Sequence, residues 1–101
     1  MSEFANRTLS KVKKTLREAS SEFDDEIVSY IDTCAMDLQN AGILPSFFTS
    51  DEIDPQILQA VRWYCLSVFG LYNLDMEKYA KAYASLKATL ATQRKYTEKK
   101  I

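Results

Sequence analysis

Glycine and proline occur only twice each in 101 residues, and this scarcity limits the possible folds more than any other feature of the chain. These are the residues that turn a backbone sharply, so few tight turns can be built and most of the chain has to lie in long elements. Long elements in a chain of this size mean helices. One ordinary domain of this length buries roughly two thirds of its unfolded surface in a single core. The 47% of hydrophobic residues supply that core, and the 27% of charged residues supply its solvated exterior, which sets the chain apart from disordered and membrane classes. The opening M-S-E-F-A-N-R has no apolar leader segment, and no apolar run approaches the ~18 residues of a membrane span. The expectation is a protein that stays in the compartment where it is made and contacts no membrane.

Periodicity and punctuation predict an all-α fold, a compact bundle of about four helices with a long central third helix, in one domain over residues 1–101 with mobile tails at 1–7 and 97–101. The first helix is expected from about Thr8 to Glu18, with Thr8 as N-cap and Leu9, Val12, Leu16 and Ala19 on one face. Lys11, Lys13, Lys14 and Arg17 occupy the other face, read as solvated. The second starts at Asp24, Asp25 and Glu26, whose charge suits the positive end of a helix dipole. Ile27, Ile31, Cys34, Ala35 and Leu38 form its inner stripe, with Tyr30 at the margin. It should stop at Gly42, where a glycine takes the left-handed conformation and lets Ile43 fold back on Leu38. From Ile43 to Ile53 there is no helical period. Leu44, Phe47 and Phe48 there either plug the core or meet a partner, and the plug is favoured because two aromatic rings are costly to leave in water.

Asp54-Pro55 starts the third helix, the aspartate as cap and the proline at a position whose amide has no partner in any case. Ile57, Leu58, Val61, Tyr64, Cys65, Val68, Phe69 and Tyr72 lie on one broad side. A second, narrower strip of Trp63, Leu66 and Gly70, flanked by Gln59, projects roughly opposite. Either a neighbouring helix wraps it or it is kept apolar for another chain. Asp75 caps the fourth helix, with Leu74 and Tyr79 as a hydrophobic staple. Met76, Tyr79, Tyr83, Leu86 and Leu90 continue the stripe, and Ala80, Ala82, Ala84, Ala88 and Ala91 either allow close approach or favour the helix. From Thr92 the apolar period stops while a basic composition continues through Arg94, Lys95, Lys99 and Lys100, with Tyr96 and Ile101 as apolar anchors. This tail is expected to fray in the free subunit and to order on docking.

Chemistry is sparse. The absence of histidine removes the commonest general base, metal ligand and partner of a nucleophile. Cys34 and Cys65 lack any zinc or C-x-x-C spacing and are read as buried free thiols. The acidic runs Asp24, Asp25, Glu26 and Asp51, Glu52, Asp54 stand at helix starts, where dipole and capping explain them without a metal. Neither glycine belongs to a phosphate-binding pattern. No catalytic, cofactor or metal residue is expected. Thirteen basic against fourteen acidic residues leave a net charge of −1, too balanced for bulk attraction to nucleic acid.

The order of signals resembles the small phage head–tail connector (adaptor) family: V-K-K-T-L-R, then D-D-E-I, then A-G-I, then D-P-Q-I-L-Q-A-V-R-W-Y-C-L-S-V-F-G, then K-Y-A-K-A-Y-A-S-L-K. The resemblance covers about Thr8 to Tyr96 and rests on core and cap positions such as Val12, Leu16, Ile27, Gly42, Asp54, Pro55 and Phe69. It implies a helical subunit of a homo-oligomeric ring, dodecameric in the virion and monomeric when free. That ring sits beneath the portal protein at the head–tail junction, after assembly in the host cytoplasm. It extends the channel through which DNA passes without sequence-specific binding, and it docks a stopper or tail-completion protein. No enzymatic role and no cofactor is implied. Trp63, Leu66, Gly70, Arg94, Lys95, Tyr96, Lys99 and Lys100 are the candidate interface residues. Two other roles compete: a small nucleic-acid-binding regulator using the basic first helix and tail, and a helical interaction module that binds one target through the strip around Trp63.

Overall fold

Thr8 stands in the middle of the first helix rather than at its start. The computed structural model describes residues 3–70 and 75–98, and α1 runs over Glu3–Leu16. Thr8 is fully buried, and its hydroxyl donates back to the carbonyls of Phe4 at 2.9 Å and Ala5 at 3.2 Å, the standard way for a helical threonine to satisfy its oxygen in a core. The expected cap at Thr8 is therefore corrected. The helix starts earlier because Phe4 has a tertiary partner, meeting the Phe48 ring edge-on at 5.0 Å, and such packing outweighs local start signals. Val12 and Leu16 are buried and Leu9 packs against the core, whereas Ala19 is exposed beyond the helix.

α1 ends on an unusual residue. The Arg17 amide donates to Lys14 at 3.2 Å and the Glu18 amide to Lys13 at 3.0 Å, the paired bonds of a Schellman ending. Arg17 takes the left-handed conformation this requires, at φ 57°, where a Cβ is unfavourable. The second helix, α2 (Asp24–Asn40), ends the same way with the expected residue. Gly42 sits at φ 110°, its amide donates to Gln39 at 3.0 Å, and that of Ile43 donates to Leu38 at 3.1 Å. Ile27, Ile31, Cys34, Ala35 and Leu38 are all buried as the stripe predicts, together with Val28.

The segment after Gly42 contains a single 3₁₀ turn at Pro45–Phe48 within an otherwise non-helical connection. Phe48 is buried and Phe47 packs against the core, so the aromatic pair plugs the bottom of the bundle. α3 (Pro55–Val68) then packs against α1, α2 and α4 (Met76–Ala91). Its centrality comes from these neighbours rather than from its length, 14 residues against 17 in α2. Phe69 closes α3 as a buried residue in extended conformation and meets the Phe23 ring edge-on at 5.6 Å. Tyr72 and Leu74, and with Leu74 the expected staple, lie outside the described residues.

α4 turns Tyr83 and Leu90 into the core, with Leu86 packed beside them. Ala80, Ala84 and Ala88 are exposed, so these alanines serve helix propensity rather than close approach within the subunit. A last short helix, α5 (Arg94–Thr97), follows after Gln93 in extended conformation. Replacing Arg17 by glycine is expected to stabilise the fold by about 0.5–1 kcal/mol, because it relieves the left-handed Cβ clash at a solvent-exposed position. Thermal and urea denaturation of Arg17→Gly against the wild type check this, and a lower melting temperature would contradict it.

Candidate interaction surfaces

Trp63 and Leu66 on α3 are half-buried. The Trp63 ring stacks on Tyr79 of α4, with centroids 5.5 Å apart and planes 20° from parallel, and both Trp63 and Leu66 pack against the core. The narrow strip is therefore wrapped on one side by α4, while part of each side chain remains open to water. Gly70 is exposed and lies past the end of α3, against Met76: a Cβ there would come within 3.1 Å of the Met76 sulfur. The strip residues share one region because α4 doubles back along the C-terminal half of α3.

The basic tail lies elsewhere. Tyr96 is 0% exposed, and it docks beside the N-terminal end of α3. Its phenol donates to both carboxylate oxygens of Asp54, at 2.8 and 2.9 Å. Its carbonyl accepts from the Leu44 amide at 2.8 Å, and its ring meets Phe47 at 4.9 Å. The expectation that the stretch from Thr92 gains little from the core is thus corrected as far as Glu98: one large aromatic gives it a place there that its lack of periodicity conceals. Arg94 and Lys95 point outward and are exposed. Lys99, Lys100 and Ile101 lie outside the described residues. The structure brings Trp63, Leu66 and Gly70 together, and Arg94 to Tyr96 together, but does not join the two groups.

Asp54 occupies the N-cap position of α3 but makes no side-chain capping bond, since its carboxylate is turned to Tyr96. Burial, and next the hydrogen bond to Asp54, push the Tyr96 phenol up to about 12. A second polar cluster, not foreseen from the sequence, ties α2 to α4. Asp37 accepts from the Tyr83 hydroxyl and from Lys87 Nζ at 2.9 Å. The Tyr83 bond, and to a lesser degree Lys87, hold its carboxyl below the usual range against the opposing effect of burial. An acid one residue before Leu38, at the edge of the α2 stripe, was the available signal. The flanking Cys34 is free and buried, and burial pushes its thiol up to about 12. Cys65 is likewise free and buried.

On α1, Lys13 leaves the basic face to pair with Asp24 of α2 at 2.7 Å, whereas Lys11, Lys14 and Arg17 remain exposed. Met36 on the outer side of α2 is 65% exposed. Among the described residues, no group of three or more histidine, cysteine, aspartate or glutamate side chains is placed to hold a metal ion, and no helix is long and apolar enough to cross a membrane. The surface presents half-exposed aromatic and aliphatic groups beside charge of both signs. A family model described as phage connector protein matches residues 8–97. Comparison with curated proteins and comparison with solved structures each give no match.

Two measurements follow from this geometry. Trp63→Ala is expected to cost about 2 kcal/mol of folding stability through loss of the Tyr79 stack, and a melting temperature unchanged from the wild type would contradict it. For Tyr96, the folded phenol titrates at about 12 and the unfolded one near ~10. Its neutral form is favoured in the fold, so its contribution is fully present below pH ~10 and is lost as pH rises through the folded value. The difference in unfolding free energy between wild type and Tyr96→Phe is therefore expected to be constant at neutral pH and to fall above pH ~10. A difference independent of pH across that range would refute the assignment.

Proposed function

The chain belongs to the phage connector protein family, and from that membership we propose that it is a structural subunit of the head–tail junction. In this reading it assembles into a ring beneath the portal protein, dodecameric in the virion and monomeric when free. The ring extends the channel through which DNA passes without sequence-specific contact, and it offers a docking surface to a stopper or tail-completion protein. The role is architectural, with no catalysis and no cofactor.

The observation that carries this reading is the extent of the match, which runs from the middle of α1 to the last residue of α5. A match over a whole domain concerns the full arrangement of helices and not a single shared motif. The surface is compatible with assembly. A net charge of −1 with both signs exposed suits contacts between protein subunits better than attraction to a polyanion. The half-buried Trp63 and Leu66 with Gly70, and the exposed Arg94 and Lys95 with the following Lys99 and Lys100, are the residues we assign to contacts with neighbouring subunits and with the portal.

The test is electron microscopy of the purified protein mixed with candidate portal rings, alongside light scattering of the protein alone. The expected result is an added ring of density on the portal, with little self-association in its absence, since a subunit of this size has little spare apolar surface. A tight closed dimer at every concentration, or a steeply salt-dependent affinity for DNA without portal binding, would overturn the proposal. The charge reversals Arg94→Glu and Lys95→Glu together are expected to weaken portal attachment on the order of tenfold while leaving the melting temperature in place.

A further inference from the structure

Asp54 serves two possible bonding partners and satisfies one of them. Its backbone, at φ −59° and ψ 130°, already has the extended conformation of a helix N-cap, and its carbonyl accepts the first helical bond, from Leu58 at 2.9 Å. Pro55 has no amide to cap, so the orphan donors of the first turn are the amides of Gln56 and Ile57. An aspartate in this place normally accepts from such an amide, yet the Asp54 side chain makes no capping bond. The carboxylate is instead turned to the Tyr96 phenol, whose single O–H is shared between the two oxygens at 2.8 and 2.9 Å.

The group that takes Asp54 away from α3 comes from the end of the chain. α5 joins α4 through the extended Gln93. It is held across the fold by the Asp54 bond, by the Leu44 amide donating to the Tyr96 carbonyl, and by the Phe47 ring. An open groove lined by Leu44, Pro45, Phe47, Lys95 and Glu98 runs along its outer side. Lifting the segment would leave Asp54 at a helix start with its backbone in place. Only a side-chain rotation then separates it from the α3 amides.

We propose that Asp54 is a two-position switch: with residues 93–98 seated it accepts the Tyr96 phenol, and with them lifted it turns to cap α3. Capping the helix offsets part of what is lost when Tyr96 leaves, so the segment is a releasable latch rather than a fixed part of the core. Its release frees Tyr96, with Arg94 and Lys95 on the same segment, and uncovers Phe47 and Leu44 on the body of the subunit. The switch is a property of the isolated chain and does not depend on the connector assignment, so its failure leaves that assignment standing.

Native-state amide hydrogen exchange on the free protein tests it. In the wild type, the Leu44 amide is expected to exchange at low denaturant through an opening that leaves the Ile31 amide protected. If Leu44 exchanges only with global unfolding, the segment is no latch. In Tyr96→Phe, which keeps the ring and removes the donor, the Leu44 amide is expected to exchange about tenfold faster. The Gln56 or Ile57 amide is expected to exchange about fivefold slower, as the released carboxylate caps it. In Asp54→Ala, Leu44 is again faster and neither α3 amide gains protection. Loss or constancy of protection at both α3 amides in Tyr96→Phe, or an unchanged Leu44, would overturn the proposal.

Discussion

The structure depends on covering α3. Ile57, Leu58, Ala60, Val61 and Cys65 are buried along it, and Trp63 and Leu66 add apolar surface outside that stripe. A helix apolar over so much of its circumference is stable in water only when neighbours wrap it. α1 and α2 take one part of this task and α4 another. The division explains the different characters of these helices. α2 lies deep enough to bury six residues, whereas α4 buries only Tyr83 and Leu90 and fills its outer side with alanine and charge.

Polar contacts then pin the covering helices at their edges. Lys13 with Asp24 joins α1 to α2, Asp37 with Tyr83 and Lys87 joins α2 to α4, and Asp54 with Tyr96 joins the start of α3 to the end of the chain. Each of the three places a carboxylate against a donor from another helix. Apolar burial is non-directional, so bonds of this kind define which face of α4 and which end of the tail meet the core. Two of the three use a tyrosine, whose ring adds apolar contact to the bond its hydroxyl makes.

What could be read from the sequence follows from how local each signal is. The end of α2 was legible to the residue, because Gly42 and Ile43 make their bonds to Gln39 and Leu38 a few positions away. The inner stripe of α2 and the start of α3 were legible for the same reason. The start of α1 was not, since it rests on Phe4 meeting Phe48 across the fold, and a cap-like threonine stood where a start was sought. Tyr96 was the larger surprise. A lone aromatic in a basic, aperiodic stretch carries no pattern, and its seat is built from Leu44, Phe47 and Asp54, all distant in sequence. The candidate contact residues were legible as residue types, and the wrapping of Trp63 by α4 was one of the two alternatives its position left open. That the strip and the tail form separate groups depends on how α4 and α5 return along α3, which no periodicity encodes.

Asp54 shows how one residue can be read correctly and still be misunderstood. Aspartate before proline is a local cap signal, and the helix does begin there. A local reading assigns the side chain to the nearest donors, but the phenol brought in by the tail competes for the same carboxylate. Either bond has the same charged acceptor, but with Tyr96 the bond comes with the burial of a large ring. The competition is settled in favour of the tail while that ring stays in place. The sequence therefore writes two structures at the start of α3, and whether residues 93–98 are seated decides between them. In the connector role proposed above, holding an aromatic inside until a partner competes for it would keep an adhesive surface out of water.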